Sequence, residues 1–276
     1  MNKKREVNKM SKPKFTILET GLWDVPRNEI IAAETPEIYA ENRRHTIPGF
    51  SVLIKDEKLG NILWDTGIAA DWKETWPDQF LKDYSFHRLE SLAEKLKGVG
   101  LAPADIDLLI LSHLHYDHAG NIKLFKGTKA GARIMISEGE AHEAFVNVCM
   151  SPNGVSGAYF RPEIAMDGIG YQTIKEDTWL TDDILLFIQR GHTPGVIGLL
   201  IKTEKSGNFI FPSDAIYSAY NFGPPVVLPG LCVDPDSYKA NAARLAQMKK
   251  EYNATMVYGH DVEDFKNWKL SPYYYE

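Results

Sequence analysis

Between residues 112 and 121 the chain reads Ser-His-Leu-His-Tyr-Asp-His-Ala-Gly-Asn. His113, His115, Asp117 and His118 put three imidazoles and a carboxylate within six residues, which is costly in a core and unusual on a surface. The set suits a borderline divalent ion such as Zn²⁺, which takes neutral imidazole nitrogen and carboxylate oxygen. On extended backbone His113 and His115 alternate and can chelate one ion. Asp117 and His118, past a turn, can face a neighbouring one. The spacing is not His-Glu-x-x-His on a helix, so zincin-type geometry is excluded. Three more pieces follow along the chain: Gly191-His192-Thr193-Pro194-Gly195, Ser213-Asp214-Ala215 and Gly259-His260-Asp261. A lone histidine in any of them would more often be structural. Together the pieces supply five imidazoles and two carboxylates, enough for two ions sharing a bridging ligand. Two metals about 3.5–4 Å apart with a hydroxide between them are a known hydrolytic arrangement.

Such ligands need rigid supports, and the flanking sequence offers them. Apolar runs at 108–112, 184–189, 208–211 and 255–258 read as buried strands. Each is followed at once by a ligand candidate: His113, His192, Asp214 and His260 respectively. Further strands are expected at 50–55, 61–64, 133–136 and 196–202. Helices are expected over 86–97, with Leu89, Leu92 and Leu96 on one face, and from a Ser137/Glu140 capping box through Val148. A third is expected to be capped by Asp236, with Ala240, Leu245 and Met248 inward. Two long loops, 22–48 and 150–175, have the length of binding or lid elements. Short strands alternating with amphipathic helices point to an α/β or α+β layered domain.

Length and composition narrow the class. A chain of 276 residues with 44% hydrophobic content builds a substantial core without staples. No apolar run reaches the ~18 residues of a membrane span, and no apolar segment follows the charged N-terminus as a signal peptide requires. Cys149 and Cys232 are too few for a disulfide framework and are expected to be buried free thiols. The net charge of −6 hides an asymmetry, because residues 1–14 carry six basic groups against one acidic, leaving the remainder at −11. Residues 1–14 are expected to be a disordered basic leader and 15–276 a single domain. A body at −11 repels a phosphate backbone, which argues against nucleic-acid binding. The expectation is a cytoplasmic protein without membrane contact, as a monomer or homodimer.

The signature His-x-His-x-Asp-His, followed at a distance by His, Asp and His, resembles that of the metallo-β-lactamase superfamily. The resemblance implies an αββα sandwich of two mixed β-sheets with metals in a cleft at one edge. By motif, His113, His115 and His192 would hold the first ion; Asp117, His118 and His260 would hold the second, with Asp214 bridging. Trp64-Asp65-Thr66-Gly67 is similar to the family's early Asp-x-Gly turn, where Asp65 would orient a ligand histidine through a hydrogen bond. Within the superfamily, residues 112–120, Asp214-Ala215-Ile216-Tyr217 and Tyr258-Gly259-His260-Asp261 most resemble the N-acyl-homoserine lactone lactonases and their relative 4-pyridoxolactonase. Asn121 stands where a second glycine is common, and 150–175 has no clear counterpart.

That resemblance implies a lactone substrate and two divalent ions, zinc first, with Mn, Fe or Co also suited to such N/O sites. A metal-bridging hydroxide would attack the ester carbonyl. Tyr217 would donate to the developing oxyanion, and Asp117 would carry the proton to the leaving alkoxide. Trp23, Phe145, Met150, Tyr220 and Phe222, with Ile30, Ile31, Val146 and Tyr159, are candidates for lining an acyl channel. The same ligands would also serve a glyoxalase II-like thioesterase, a phosphodiesterase or a single-iron persulfide dioxygenase.

Overall fold

The computed structural model describes residues 11–32 and 43–276. Its strands, in chain order, begin with β1 (Lys14–Pro26), β2 (Arg44–Asp56), β3 (Gly60–Trp64), β4 (Ser85–Leu89), β5 (Leu108–Ile110) and β6 (Ile134–Ser137). A small hairpin of β7 (Val155–Ser156) and β8 (Tyr159–Phe160) follows, then β9 (Tyr171–Ile174). The last five are β10 (Thr178–Thr181), β11 (Ile184–Gln189), β12 (Val196–Lys202), β13 (Asn208–Phe211) and β14 (Ala254–Met256). One sheet has seven strands in the order β4-β1-β2-β3-β5-β6-β9, the other five in the order β10-β11-β12-β13-β14. Both are mixed: β1 to β3 pair antiparallel and β3, β5, β6 and β9 parallel, while β10 to β13 pair antiparallel and β13–β14 parallel.

The period of two along each strand sorts side chains between layers. Val52, Ile54, Ile62 and Trp64 meet Ile184, Leu186, Ile197 and Leu199 in the core between the sheets. Their alternates Leu53 and Leu63 turn outward onto Leu92, Leu96, Ala144 and Val148 of two helices, Leu92–Gly98 and Glu138–Met150. Leu185 and Phe187 turn the other way, onto Tyr238, Ala242, Leu245 and Met248 of the helix Pro235–Glu251. The layering is therefore helix, sheet, sheet, helix. Among the described residues no helix is long and apolar enough to cross a membrane.

Several expectations change. Residues 1–10 of the expected leader lie outside the described residues, but Lys14 already opens β1 and Ser11 donates to Glu57. Most of 22–48 that is described is not loop: β1 runs to Pro26, a short helix spans Arg27–Ile30, and β2 begins at Arg44. The helix expected over 86–97 starts only at Leu92, capped by Ser91. Residues 85–89 are an edge strand, because their alternating pattern docks Phe86 against Trp23 of β1. Asp234, not Asp236, caps the long helix, and this rotation leaves Ala240 exposed and buries Tyr238 and Ala242. Cys149 is exposed and Cys232 half-buried, because helix Glu138–Met150 ends in solvent and Cys232 lies on a surface loop.

Candidate metal centre

Strands β5, β11, β13 and β14 end at one edge of the sandwich, and the ligand candidates sit in the loops beyond them. His192 Nε2 lies 3.2 Å from His113 Nε2 and 3.0 Å from His115 Nδ1. This makes one compact group of three nitrogens. Asp117, His118, Asp214 and His260 make a second. Asp214 stands between them. Its Oδ1 faces His118 Nε2 at 3.2 Å and His260 Nε2 at 3.1 Å, and its Oδ2 faces His192 Nε2 at 3.4 Å and His113 Nε2 at 3.7 Å. Asp117 Oδ2 lies 3.5 Å from His260 Nε2 and 3.6 Å from His118 Nε2.

The far nitrogen of four of the five imidazoles has a partner that fixes the tautomer. His118 Nδ1 donates to Asp65 Oδ2 at 2.8 Å, and His260 Nδ1 donates to the Pro48 carbonyl at 3.1 Å. Ser112 Oγ donates to Asp65 and so accepts from His113 Nδ1, 3.0 Å away. His192 Nδ1 shares its hydrogen between the Leu231 carbonyl at 3.1 Å and the Tyr217 oxygen at 3.0 Å. In each case the nitrogen turned to the centre keeps a lone pair.

These residues fit a cation. Although His118 Nε2 and Asp214 Oδ1 are buried and close, neither has a hydrogen-bond partner of acceptable geometry. Burial holds His113 and His115 well below the ordinary imidazole range, helped by the neighbouring imidazoles, so their nitrogens are neutral donors. Burial also opposes charge on His118, but Asp214, Asp117 and Asp65 outweigh it and raise that imidazole well above its usual value. Burial likewise works against ionisation of Asp214, yet His260 and His118 hold it well below the carboxylate range. Carboxylates that favour protons on these histidines favour a divalent ion in their place.

The supporting turns carry strain where it serves position. Asp65 and Ser213 adopt φ of 61° and 53°, a region non-glycine residues seldom enter. The Asp65 turn is held by Asn121, whose Nδ2 donates to the carbonyls of Thr66 and Ile68 at 2.8 and 2.6 Å. Gly67 follows at φ 71°, where a Cβ would lie 2.6 Å from Thr20 Oγ1. A residue that sequence reasoning missed is Glu140. Ser137 Oγ does accept from the Glu140 N–H, but the Glu140 carboxylate does not close a capping box. It accepts from the Leu114 N–H at 2.8 Å, on the loop bearing His113 and His115. Burial pushes that carboxyl up to about 6, against the hydrogen bond from Leu114. Local sequence carries no signal for this contact.

Two cavities flank His115 and His192. The smaller, about 150 Å³, has Asp117 and Tyr217 in its wall together with Val25, Glu29, Ile47 and Tyr84. The larger, about 340 Å³, runs along Glu143, Asn147, Thr193, Leu231, Cys232 and Val233. Ile30 lines the first and Tyr159 the second. The five principal channel candidates line neither. Trp23 is buried edge-on to His260, and Phe145 packs on Tyr171. Phe222 packs near Tyr258, while Met150 and Tyr220 are exposed. Their apolar character serves packing or faces solvent: Trp23 lies in β1 and is buried, and the helices Glu138–Met150 and Ala219–Phe222 carry the other four outside both cavities. Burial, with Asp117 and Asp83 adding, lifts Glu29 up to about 7 against the hydrogen bond from Tyr84.

Comparison with known proteins agrees with this arrangement. An N-acyl homoserine lactonase of Bacillus cereus is 30% identical over 274 residues, covering 96% of this chain and all of the relative. The N-acyl homoserine lactonase AiiB of Agrobacterium fabrum is 29% identical over 269 residues, covering 91% of this chain and 95% of that one. Among solved structures, B. thuringiensis AiiA with N-decanoyl-L-homoserine at its active site superposes with a TM-score of 0.80 at 26% identity, over 96% of this chain and 100% of that one. An N-acyl homoserine lactone hydrolase with N-hexanoyl-L-homoserine bound at its catalytic metal center gives the same TM-score of 0.80, identity of 26% and coverage. The family profile described as the metallo-beta-lactamase superfamily matches residues 46–260, from the second strand of the larger sheet to the last histidine of the centre. With its layers, its ligand loops and most of its length in agreement, the chain belongs to the metallo-beta-lactamase superfamily.

Proposed function

We propose that the protein is a metal-dependent hydrolase that opens lactone rings, with N-acyl-homoserine lactones as its substrate class. His113, His115 and His192 would hold one divalent ion, and Asp117, His118 and His260 a second, with Asp214 shared; zinc suits this N/O set. The observation that carries the reading is Asp214, whose two oxygens divide between the two ligand groups while Asp117 and Tyr217 face one small cavity. When bound, such ions supply an activated water at neutral pH and a Lewis acid for the ester carbonyl.

The chain's own groups do the rest. Burial, and then Asp214, raise the Tyr217 hydroxyl well above the ordinary phenol range, so it stays protonated. Its oxygen accepts from His192 Nδ1, which leaves the O–H free to donate to the carbonyl oxygen as negative charge develops there. Asp117 takes the proton of the attacking water and returns it to the ring oxygen as the acyl C–O bond breaks. The product is a hydroxy acid.

Metal analysis with pH-stat hydrolysis of a panel tests the proposal. The panel is homoserine lactones of several chain lengths, pyridoxolactone, S-lactoylglutathione and bis-p-nitrophenyl phosphate. Two metals per chain and turnover of the homoserine lactones are expected. Turnover of the thioester or phosphodiester, with no lactone opened, would replace the reading.

A further inference from the structure

The smaller cavity holds a carboxyl that this chemistry leaves unused. Glu29 sits on the short helix Arg27–Ile30, whose Ile30 is buried. Its backbone carbonyl accepts from the N–H groups of Gly230 and Leu231 at 3.1 and 3.3 Å, which fixes its place across two distant segments. Its side chain accepts the Tyr84 hydroxyl, 3.0 and 3.1 Å from the two carboxylate oxygens. Among the described residues Tyr84 is the donor that its carboxyl has. One hydroxyl hydrogen occupies one of roughly four lone-pair positions of a carboxylate, so among the described residues most of its accepting capacity is unfilled. The neighbouring wall is apolar: Val25, Ile30, Ile47, Phe80 and Leu231. A half-buried carboxyl in such a wall is costly unless something hydrogen-bonds to it. Asp117 and Tyr217 line the same cavity of about 150 Å³. A small ring reacting beside them would share this cavity with Glu29.

We propose that Glu29, oriented by Tyr84, is a specificity residue of this cavity, accepting a hydrogen bond from an N–H on the substituent next to the lactone ring. The inference rests on the lactonase reading and deepens it: lactones bearing an amide or ammonium nitrogen are preferred over plain lactones. An apolar wall distinguishes such substrates weakly, whereas a site built to bond an N–H strongly rejects the analogue that lacks it. Tyr84 acts here as a positioning residue, since it touches Glu29 rather than the reacting atoms.

The test compares metal-loaded wild type with Glu29→Leu, Glu29→Gln and Tyr84→Phe on N-butyryl-homoserine lactone, homoserine lactone and γ-butyrolactone. In Glu29→Leu the ratio of kcat/KM for either nitrogen-bearing lactone to that for γ-butyrolactone falls roughly ten- to a hundredfold, chiefly through KM. Glu29→Gln, whose amide oxygen still accepts, and Tyr84→Phe lower the ratio less. A larger Gln effect on homoserine lactone than on the butyryl amide identifies the ammonium as the preferred donor; the reverse identifies the amide. A ratio within about twofold of wild type in Glu29→Leu, or in Glu29→Ala if the Leu variant does not fold, overturns the proposal. Calorimetry with the lactam analogue of N-butyryl-homoserine lactone, against unsubstituted butyrolactam, reads Glu29 without turnover. Selective binding of the substituted lactam that Glu29→Leu weakens at least about tenfold supports the proposal even if no lactone is opened, an outcome that sinks only the lactonase reading. Binding indifferent to Glu29, or none to wild type, overturns it.

Discussion

At Tyr217 a neighbouring tautomer decides what the hydroxyl can do. Because His192 offers Nε2 to the ligand group, its Nδ1 carries the hydrogen and Tyr217 accepts it, leaving the phenol's own hydrogen for substrate. Tyr217→Phe should therefore cost about 1.5–3 kcal/mol in kcat/KM, the worth of one hydrogen bond to developing charge. An unchanged kcat/KM on the best lactone returns Tyr217 to packing. Asp117→Asn keeps an oxygen toward the second ligand group but removes the proton carrier. A kcat loss of roughly 10²–10⁴-fold with only partial loss of metal is expected, and near-wild-type kcat would end that role. Asp65 acts one bond further out, through His118 Nδ1 and Ser112. Asp65→Asn should weaken metal binding roughly 10–100-fold, read by competition with a chromophoric chelator. At this scale the sequence was most legible. Imidazole and carboxylate are rare enough in a buried strand end that their presence at 113, 192, 214 and 260 marks chemistry. Glu140 and Glu29 were not legible, since a glutamate on a helix is usually a solvated residue and nothing local tells which way it turns.

Among the elements, the helix Glu138–Met150 does more than cover the sheet. Ser137 caps it, accepting from the Glu140 N–H at 3.1 Å, and donates to the Gly195 carbonyl at 2.5 Å. The cap thus touches the loop that carries His192. A Cβ on Gly195 would lie 2.0 Å from Ser137 Oγ, so that loop requires glycine there. Ser137→Ala should destabilise the fold by about 1 kcal/mol or somewhat more, measured by urea unfolding. The short helix Arg161–Ile164 is fastened differently: buried Glu163 accepts from Trp76 Nε1 at 3.2 Å and Thr75 Oγ1 at 3.3 Å. Burial pushes its carboxyl up to about 8 from 4.5, outweighing those two bonds. The folded protein holds a proton that the unfolded chain releases above its ordinary value. This contribution is therefore complete below about pH 4.5 and lost as pH rises to about 8. Glu163→Gln, which mimics the protonated form, should gain on wild type by on the order of 2–4 kcal/mol across that window, seen as a difference in Tm that widens with pH. A constant difference would count against it. Strand positions were readable because continuous apolar runs bounded by turn residues name buried strands; β11, β12 and β13 lie where the pattern puts them. The edge strands β4 and β9 were not, because a half-exposed edge is held by its neighbour's backbone rather than by its own composition.

Across the whole molecule, the two sheets bring strand ends far apart in sequence to one edge, and a cation would tie them together. Removing metal with a chelator should lower Tm, since an ion bound only by the folded state adds about 2.7 kcal/mol at a hundredfold excess over its Kd. Calorimetry should show recovery with Zn²⁺ but not Mg²⁺, whose preference is for oxygen ligands; equal Tm with and without metal would contradict a structural share for the ions. The division between sequence and structure follows from range. Ligand chemistry and strand identity are local properties, written in residue type and in a period of two, so the superfamily and the two groups of candidate ligands were legible in the sequence itself. The pocket is not local: its wall joins Glu29 to Tyr84, 55 residues apart, and includes His260, which is held from behind by Pro48, 212 residues away. Apolar residues look alike whether they fill a core or line a cavity, so Trp23 and Phe145 went into packing and Glu29 into the cleft. Only the stacking of one sheet on the other, which sets the space left between remote segments, decided which side chains face a substrate.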